Sequence, residues 1–180
     1  YELVQPGDRI AVCISGGKDS MLMAKLFQEL KLHNKFLFEL RFVVMDPGYS
    51  PANRQIIEEN ARRLHIPVEI FESDIFDSVY NVEKSPCYLC ARMRRGYLYR
   101  YAQELGCNKV ALGHHLDDAV ETFYMNLWRE GRIGCFSPVT YLSRRDLTLI
   151  RPMLLATEYE VQCAVREAGL PIVKSRCPAD

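Results

Sequence analysis

Ser15-Gly16-Gly17-Lys18-Asp19-Ser20 follows a short β-branched run, Arg9 to Ile14, and precedes apolar residues at helical spacing. Two adjacent glycines let the main chain turn tightly and present successive N–H groups, while the helix that follows directs its positive end at whatever the loop holds. Such a loop is a phosphate cradle. Lys18 adds a mobile positive charge, Ser15 and Ser20 add hydroxyl donors, and Asp19 can hold a Mg²⁺ ion bridging phosphates. The spacing is not that of a Walker A loop, which needs four residues between its first glycine and Gly-Lys-Ser/Thr.

A second block, Leu112-Gly113-His114-His115-Leu116-Asp117-Asp118-Ala119-Val120-Glu121-Thr122, closes one strand and opens a helix, bringing two histidines and two carboxylates together. Capping offers a plainer explanation of part of it. Asp117 or Asp118 can serve as a helix N-cap with Glu121 completing a capping box, worth about 1 kcal/mol without any ligand. That leaves Gly113, His114 and His115 unexplained, which favours a functional role for the segment. Asp46 ends another predicted strand, where a carboxylate or the nearby main chain often meets the adenosine half of a nucleotide, although Asp-Pro-Gly is equally a turn former.

Seven cysteines stand at 13, 87, 90, 107, 135, 163 and 177, and a reducing compartment would keep them as thiols. Cys87 and Cys90 form the sole Cys-x-x-Cys, a spacing that serves redox couples, zinc ribbons and iron–sulfur clusters alike, with no second pair to complete a zinc tetrad. Cys177, flanked by Arg176 and Pro178, is in an exposed setting and is the candidate third ligand. Three cysteines fit a 4Fe-4S cluster with one iron open to sulfide. Cys13, Cys107 and Cys163 lie within or beside regular elements and read as small hydrophobes; Cys135 is undecided.

The elements that must position these residues alternate. Strands are expected over Arg9 to Ile14, Phe36 to Met45, Pro67 to Phe71, Lys109 to Gly113 and Leu147 to Ile150. Helices are expected over Ser20 to Leu32, Ala52 to Leu64, His115 to Arg129 and Thr157 to Ala168, with a long one entered at Cys87-Tyr88-Leu89-Cys90 and stopped by Gly106. Right-handed crossovers then predict an α/β fold: a doubly wound, parallel, five-stranded sheet with helices on both faces and ligands where the winding reverses. Gly131 to Arg145 is the least regular stretch. No repeat or linker divides the chain, so residues 1–180 read as one domain, its termini open to having been trimmed from a longer chain.

With 48% hydrophobic and 26% charged residues and a formal net charge of zero, global charge points to neither disorder nor nucleic acid, so RNA contact would need local patches. Arg92, Arg94, Arg95, Tyr97, Tyr99, Arg100 and Tyr101 on the long helix make one, with Arg129, Arg132, Arg144 and Arg145 extending it. Arginines on a solvated face and tyrosines on a core face give the same pattern. No apolar run of signal-peptide or membrane-spanning type occurs, so a cytoplasmic location is expected.

Ser-Gly-Gly-Lys-Asp-Ser after a first strand resembles the signature of the PP-loop ATP pyrophosphatases, and Gly-His-His-x-Asp-Asp-x-x-x-Thr resembles the block after strand four in the members that modify tRNA. Arg151-Pro152-Met153-Leu154 is similar to their late Arg-Pro-Leu block. Together with Cys87, Cys90 and Cys177, in that order along nearly the whole chain, these motifs narrow the resemblance to the tRNA 2-thiocytidine synthetase family. This sequence departs in having Arg-Cys-Pro-Ala-Asp where some relatives have a late Cys-x-x-Cys. The resemblance implies an adenine nucleotide alpha hydrolase-like fold, ATP, Mg²⁺ and a 4Fe-4S cluster held by Cys87, Cys90 and Cys177. Ser15 to Ser20, Asp46, Gly113 and Arg151 would meet the nucleotide, and Lys18, Asp19, His114, Asp117 and Asp118 would act in catalysis. The implied partners are tRNA and a sulfide or persulfide donor such as a cysteine desulfurase, with no membrane and room for a homodimer.

The activity it implies is adenylation of a cytidine C2 oxygen and its replacement by sulfur. The rivals are a relative acting on another tRNA base or attaching an amine such as lysine, a metal-free persulfide pair at Cys87 and Cys90, and a regulatory module that senses ATP or AMP without chemistry.

Overall fold

The computed structural model describes residues 2–33, 35–80 and 86–172. Its elements run β1 (Arg9–Ile14), α1 (Lys18–His33), β2 (Glu39–Asp46), α2 (Pro51–Arg63), β3 (Val68–Glu72), α3 (Ile75–Tyr80), α4 (Pro86–Glu104), β4 (Lys109–Ala111), α5 (Leu116–Glu130), β5 (Val139–Leu142), β6 (Leu147–Ile150) and α6 (Glu158–Glu167).

The six strands form one sheet in the order β3-β2-β1-β4-β6-β5. The five expected strands, β1, β2, β3, β4 and β6, pair in parallel. The chain winds outward from β1 to β2 and β3, then returns to β4 on the other side. The winding therefore reverses between β1 and β4. The sheet differs from expectation in its sixth strand: β5 pairs antiparallel with β6, Val139 opposite Ile150 and Leu142 opposite Leu147, inside the stretch that looked irregular. Its four residues alternate exposed and half-buried at the sheet edge, so no buried apolar run marks it. The hairpin closes through Asp146, a non-glycine residue at φ +47°.

Alternation along β1 explains why both faces need covering. Ile10, Val12 and Ile14 pack with Met21, Met23 and Phe27 of α1, Ile57 and Ala61 of α2, and Val161 and Val165 of α6. Ala11 and the half-buried Cys13 face the other way, toward Ala102 and Tyr99 of α4, Cys107 and Val110. Helices thus cover both faces, with α3 packed against α4. Parallel strands buried on both faces account for the nearly continuous apolar runs.

The apolar face of α1 is not wholly covered: Leu26 and Leu30 are 50% and 40% exposed. Helix α5 departs further, for none of its residues is buried, and Val120, Tyr124, Met125 and Trp128 stand open. No helix among the described residues is long and apolar enough to cross a membrane.

Candidate active site

The phosphate loop leaves β1 at the point of reversal. Gly16 takes φ +85°, open to glycine at little cost, and Ser20 Oγ donates to the Gly17 carbonyl at 2.9 Å and accepts from the Ser15 amide at 3.1 Å. The Ser15 and Ser20 hydroxyls also lie 3.1 Å apart. These bonds hold the loop curled over the start of α1, whose first amides have no intrahelical acceptor and carry the positive end of the helix dipole.

The second loop presses directly on the first. A Cβ at Gly113 would come within 3.3 Å of the Asp19 carbonyl carbon and of the Ser20 nitrogen, so a side chain here would push the two loops apart by a few tenths of an ångström. His115 is buried between the two loops, its Nε2 3.8 Å from Asp19 Oδ1 and its Nδ1 3.5 Å from Asp118 Oδ2 and 3.8 Å from Asp117 Oδ2. Capping leaves His115 unexplained in the sequence, and its place between two loop motifs is recognisable only once the loops meet.

The two aspartates separate in function. Asp118 Oδ2 accepts from the His115 amide at 2.9 Å, capping α5, and Asp118 also borders the cleft. Asp117 Oδ2 accepts from the Glu158 amide at 2.6 Å, capping α6. The expected capping box with Glu121 is replaced by these two contacts, and α6 carries its own box between Thr157 and Glu160.

Between the loops and α4 opens a cleft of about 480 Å³. Ser15, Asp19 and Ser20 line one side, and Gly113, His114 and Asp118 the next. Met45 and Tyr49 at the end of β2, with Cys13 and Val43, form an apolar floor. Ala91, Arg94, Arg95 and Leu98 of α4 form the remaining wall. Asp19 Oδ1 and His114 Nδ1 are buried there without a hydrogen-bond partner among the described residues. Burial, then the nearby Arg151 charge, holds the His114 pKa below the usual histidine value. Burial pushes the Cys13 thiol well above the ordinary range, so it stays protonated.

Several expected site residues have other engagements. Lys18 Nζ lies 3.1 Å from Asp19 and 3.3 Å from Glu158, and is absent from the cleft lining. Asp46 is buried; its Oδ1 accepts from the Gly48 and Tyr49 amides at 2.9 and 2.6 Å, shaping the turn, while its neighbours Met45 and Tyr49 reach the cleft. Arg151 is also buried. It donates to the Ser137 carbonyl at 2.6 Å and to Thr140 Oγ1 at 3.1 Å, with its guanidinium 4.9 Å from the Phe136 ring centre.

Cys87 and Cys90 fall in the first turn of α4, exposed and half-buried, while Cys177 lies outside the described residues. Exposed Cys135 donates to the Ala119 carbonyl, and Cys107 is buried with its thiol pushed up to about 11 by that burial. Among the described residues no three His, Cys, Asp or Glu side chains converge on a ready-made metal site.

The basic and aromatic cluster on α4 divides too. Tyr101 stacks on Phe71 at 4.2 Å and Tyr99 packs into the core, Arg100 pairs with Glu104, and Tyr97 donates to Asp74. Arg92 and Arg95 are exposed and Arg94 is half-buried; of the three, Arg94 and Arg95 border the cleft.

Residues 2–176 match the PP-loop domain. The tRNA-cytidine(32) 2-sulfurtransferase of Syntrophotalea carbinolica is 38% identical over 183 aligned residues, covering 100% of this chain and 71% of the relative. That of Geobacter sulfurreducens is 36% identical over 181, covering 99% and 70%. Among solved structures, the U34-tRNA thiolase NcsA from Methanococcus maripaludis, determined with its [4Fe-4S] cluster, superposes with a TM-score of 0.79 at 24% identity. That match covers all of this chain and 62% of the thiolase, a likeness at the level of the fold.

Proposed function

The chain belongs to the PP-loop domain family, and from that membership we infer that it is an ATP-dependent tRNA sulfurtransferase, which adenylates the C2 oxygen of a cytidine and exchanges it for sulfur. The observation that carries the inference is the contact of two motifs at the reversal of the sheet: Gly113 against Asp19 and Ser20, on one side of a cleft whose far wall is the helix bearing Cys87 and Cys90.

Phosphate is bound by the amides at the start of α1 and the Ser15 and Ser20 hydroxyls, and Lys18 is the loop's mobile cation. Asp19 and Asp118 border the cleft together, and Asp19 Oδ1, buried there with only the Lys18 ammonium 3.1 Å away and His115 3.8 Å away, would suit a Mg²⁺ ion completed by phosphate oxygens once Lys18 turns to phosphate. When bound, such an ion would supply positive charge to the phosphates; Asp19 and Asp118 are the residues that would hold it. Neutral His114 is fit to accept a hydrogen bond or proton there, and its depressed pKa supports that state at neutral pH. His115, between three carboxylates, sets the spacing of the loops. The apolar floor at Met45 and Tyr49 suits an adenine ring, with the Asp46 turn shaping it. Arg151, held under β5, supports the edge of the cleft through Phe136.

Cys87 and Cys90 supply two thiols one turn apart, with Cys177 as the third ligand of a 4Fe-4S cluster. When bound, such a cluster supplies an iron open to sulfide, and hence the sulfur that displaces the adenylated oxygen as AMP. The target base must be unstacked or single-stranded to enter a cleft of this size. Arg92, exposed on the same helix, favours RNA approach over α4. The chain is read as one PP-loop domain acting in the cytoplasm, fed with sulfide or persulfide by a donor such as a cysteine desulfurase. The open apolar face of α5 is the surface through which a homodimer would form.

The deciding experiment is anaerobic reconstitution with iron and sulfide, then mass-spectrometric scoring of 2-thiocytidine in unmodified tRNA incubated with ATP, Mg²⁺ and sulfide. The wild type yields 2-thiocytidine, and Cys90→Ala and Cys177→Ala do not. Pyrophosphate release without a thiolated base would remove the substrate assignment and leave the adenylating core; neither product would favour a nucleotide sensor.

A further inference from the structure

The cations that the motifs offer for phosphate are engaged outside the cleft: Lys18 between Asp19 and Glu158, Arg151 with Ser137 and Thr140. The cleft is nevertheless lined by positive charge. Arg94 and Arg95 reach it from α4, facing Ser15, Asp19 and Ser20, and among the described residues neither has an ion pair. Arg94 is half-buried, its guanidinium 5.7 Å from the Phe76 ring centre, and its Nε is buried with no hydrogen-bond partner. The Tyr49 side chain is the hydrogen-bond neighbour of Arg94, and a half-buried guanidinium with no carboxylate paired to it among the described residues favours an anion in the cleft.

Resting on the adenylation reading above, we propose that Arg94 and Arg95 clamp the triphosphate of ATP from the α4 side of the cleft and stabilise the charge on the α-phosphoryl group as pyrophosphate leaves. A guanidinium presents a planar fork that matches phosphate oxygens bidentately, and the amides of the facing loop take the other side of the same group. Nothing is oxidised or reduced: the bond from the cytidine oxygen to the α-phosphorus forms as the bond to the bridging oxygen breaks, and the electron pair departs with pyrophosphate.

Helical periodicity adds a second consequence. Cys87, Cys90, Arg94 and Leu98 fall at spacings of three, four and four, which is one face of α4. Ala91, Arg94 and Leu98 of that face line the cleft, so Cys90 and Cys87 lie on the same face about one and two turns, roughly 6 and 10 Å, before Arg94. The clamp thus joins the end of the helix that carries sulfur chemistry to the nucleotide loop. Of the arginines and tyrosines that form the basic patch, Arg94 and Arg95 are the two that line the cleft.

The test uses the full chain with Arg94→Gln, Arg95→Gln and the charge-retaining Arg94→Lys. Affinity for Mg-ATP is measured by calorimetry without tRNA, pyrophosphate release in a single turnover with saturating tRNA, and tRNA affinity by filter binding. Each glutamine variant is expected to bind ATP about tenfold more weakly and to release pyrophosphate at least about tenfold more slowly, with tRNA affinity within about twofold of wild type. Arg94→Lys recovers part of the ATP affinity but not the rate, since an ammonium lacks the fork. Wild-type ATP affinity in both glutamine variants would overturn the proposal, as would a loss confined to tRNA binding. If glutamine at 94 prevents folding, unchanged ATP affinity and rate in Arg94→Lys overturns it alone. Because ATP binding is read without tRNA, a wild type that binds ATP yet thiolates nothing removes the sulfurtransferase reading while the clamp is still measured.

Discussion

Lys18 Nζ lies 3.3 Å from Glu158 Oε1, which ties the first residue of α1 to the first residue of α6 across the mouth of the phosphate loop. Burial lowers the Lys18 pKa, but hydrogen bonds and charge from Asp19 and Glu158 outweigh it and raise the net value, so the ammonium stays charged. Glu158 is itself fixed from behind by Asp117, which caps its amide. An incoming triphosphate competes with Glu158 for Lys18 and is repelled by its carboxylate. Glu158→Gln is therefore expected to tighten ATP binding by about threefold, an advantage that shrinks as salt is raised. Titrations at low and high potassium chloride check this; weaker binding would instead make Glu158 the group that aims Lys18 at phosphate.

Gly113→Ala tests the contact between the loops. The added methyl meets main-chain atoms at 3.3 Å on the Asp19 carbonyl carbon and the Ser20 nitrogen, and these cannot swing aside as a side-chain end would. A loss of about 1–3 kcal/mol in stability is expected from such overpacking, with weaker ATP binding as the phosphate loop shifts. Gly96→Ala is the control: its Cβ meets nothing within 4 Å in the middle of α4, and alanine there is expected to stabilise by up to about 1 kcal/mol. Denaturant midpoints and ATP titrations of both variants distinguish packing at the loop from a general effect of losing glycine.

His114 predicts a pH dependence of known sign. Burial and the adjacent Arg151 hold its pKa below the ordinary value, so between the unfolded pKa, about 6.5, and the lower folded one the unfolded chain binds more protons. Stability from this residue is complete above the unfolded value and is lost as pH falls toward the folded one. His114→Gln abolishes that contribution. Unfolding free energies measured from pH 7.5 downward should show the wild type losing stability relative to His114→Gln below about pH 6.5. Parallel curves would mean that the imidazole is exposed to solvent.

Much of this arrangement was legible in the sequence because crossover chirality and strand alternation fix which ends of which strands meet. Ser15 to Ser20 and Gly113 to Asp118 had to converge where the winding reverses, and they do. What was not legible depended on partners remote in the sequence. Arg94 and Arg95 read as part of a basic patch, but helical spacing shows which residues share a face, not that this face lines the cleft opposite the phosphate loop. Arg151 was matched to a motif, but its guanidinium is directed by the Ser137 carbonyl and Thr140, which are positioned by a strand too short to announce itself. For Asp46 the turn is visible, two amides within three residues claiming one of its oxygens, while its neighbours Met45 and Tyr49 line the cleft. On α5 an apolar spacing that normally marks a core face is open.

Asp117 and Asp118 are adjacent in sequence and equal in charge, yet their geometry predicts different defects. Asp117 Oδ2 holds the Glu158 amide and does not border the cleft, so Asp117→Ala should cost about 1 kcal/mol of stability, as losing a helix cap does, and leave pyrophosphate release at saturating ATP within about threefold of wild type. Asp118 borders the cleft while accepting from the His115 amide. In Asp118→Asn the amide oxygen can keep that bond, so the fold survives, but a carboxylate facing the phosphate and its metal is gone. Pyrophosphate release should fall by about a hundredfold and the Mg²⁺ concentration for half-maximal rate should rise, as expected when a metal-holding charge is removed. Thermal melts paired with Mg²⁺ titrations of both variants separate the roles. A rate loss in Asp117→Ala with full activity in Asp118→Asn would reverse the assignment and make the α6 cap, rather than the cleft carboxylate, the element on which catalysis depends.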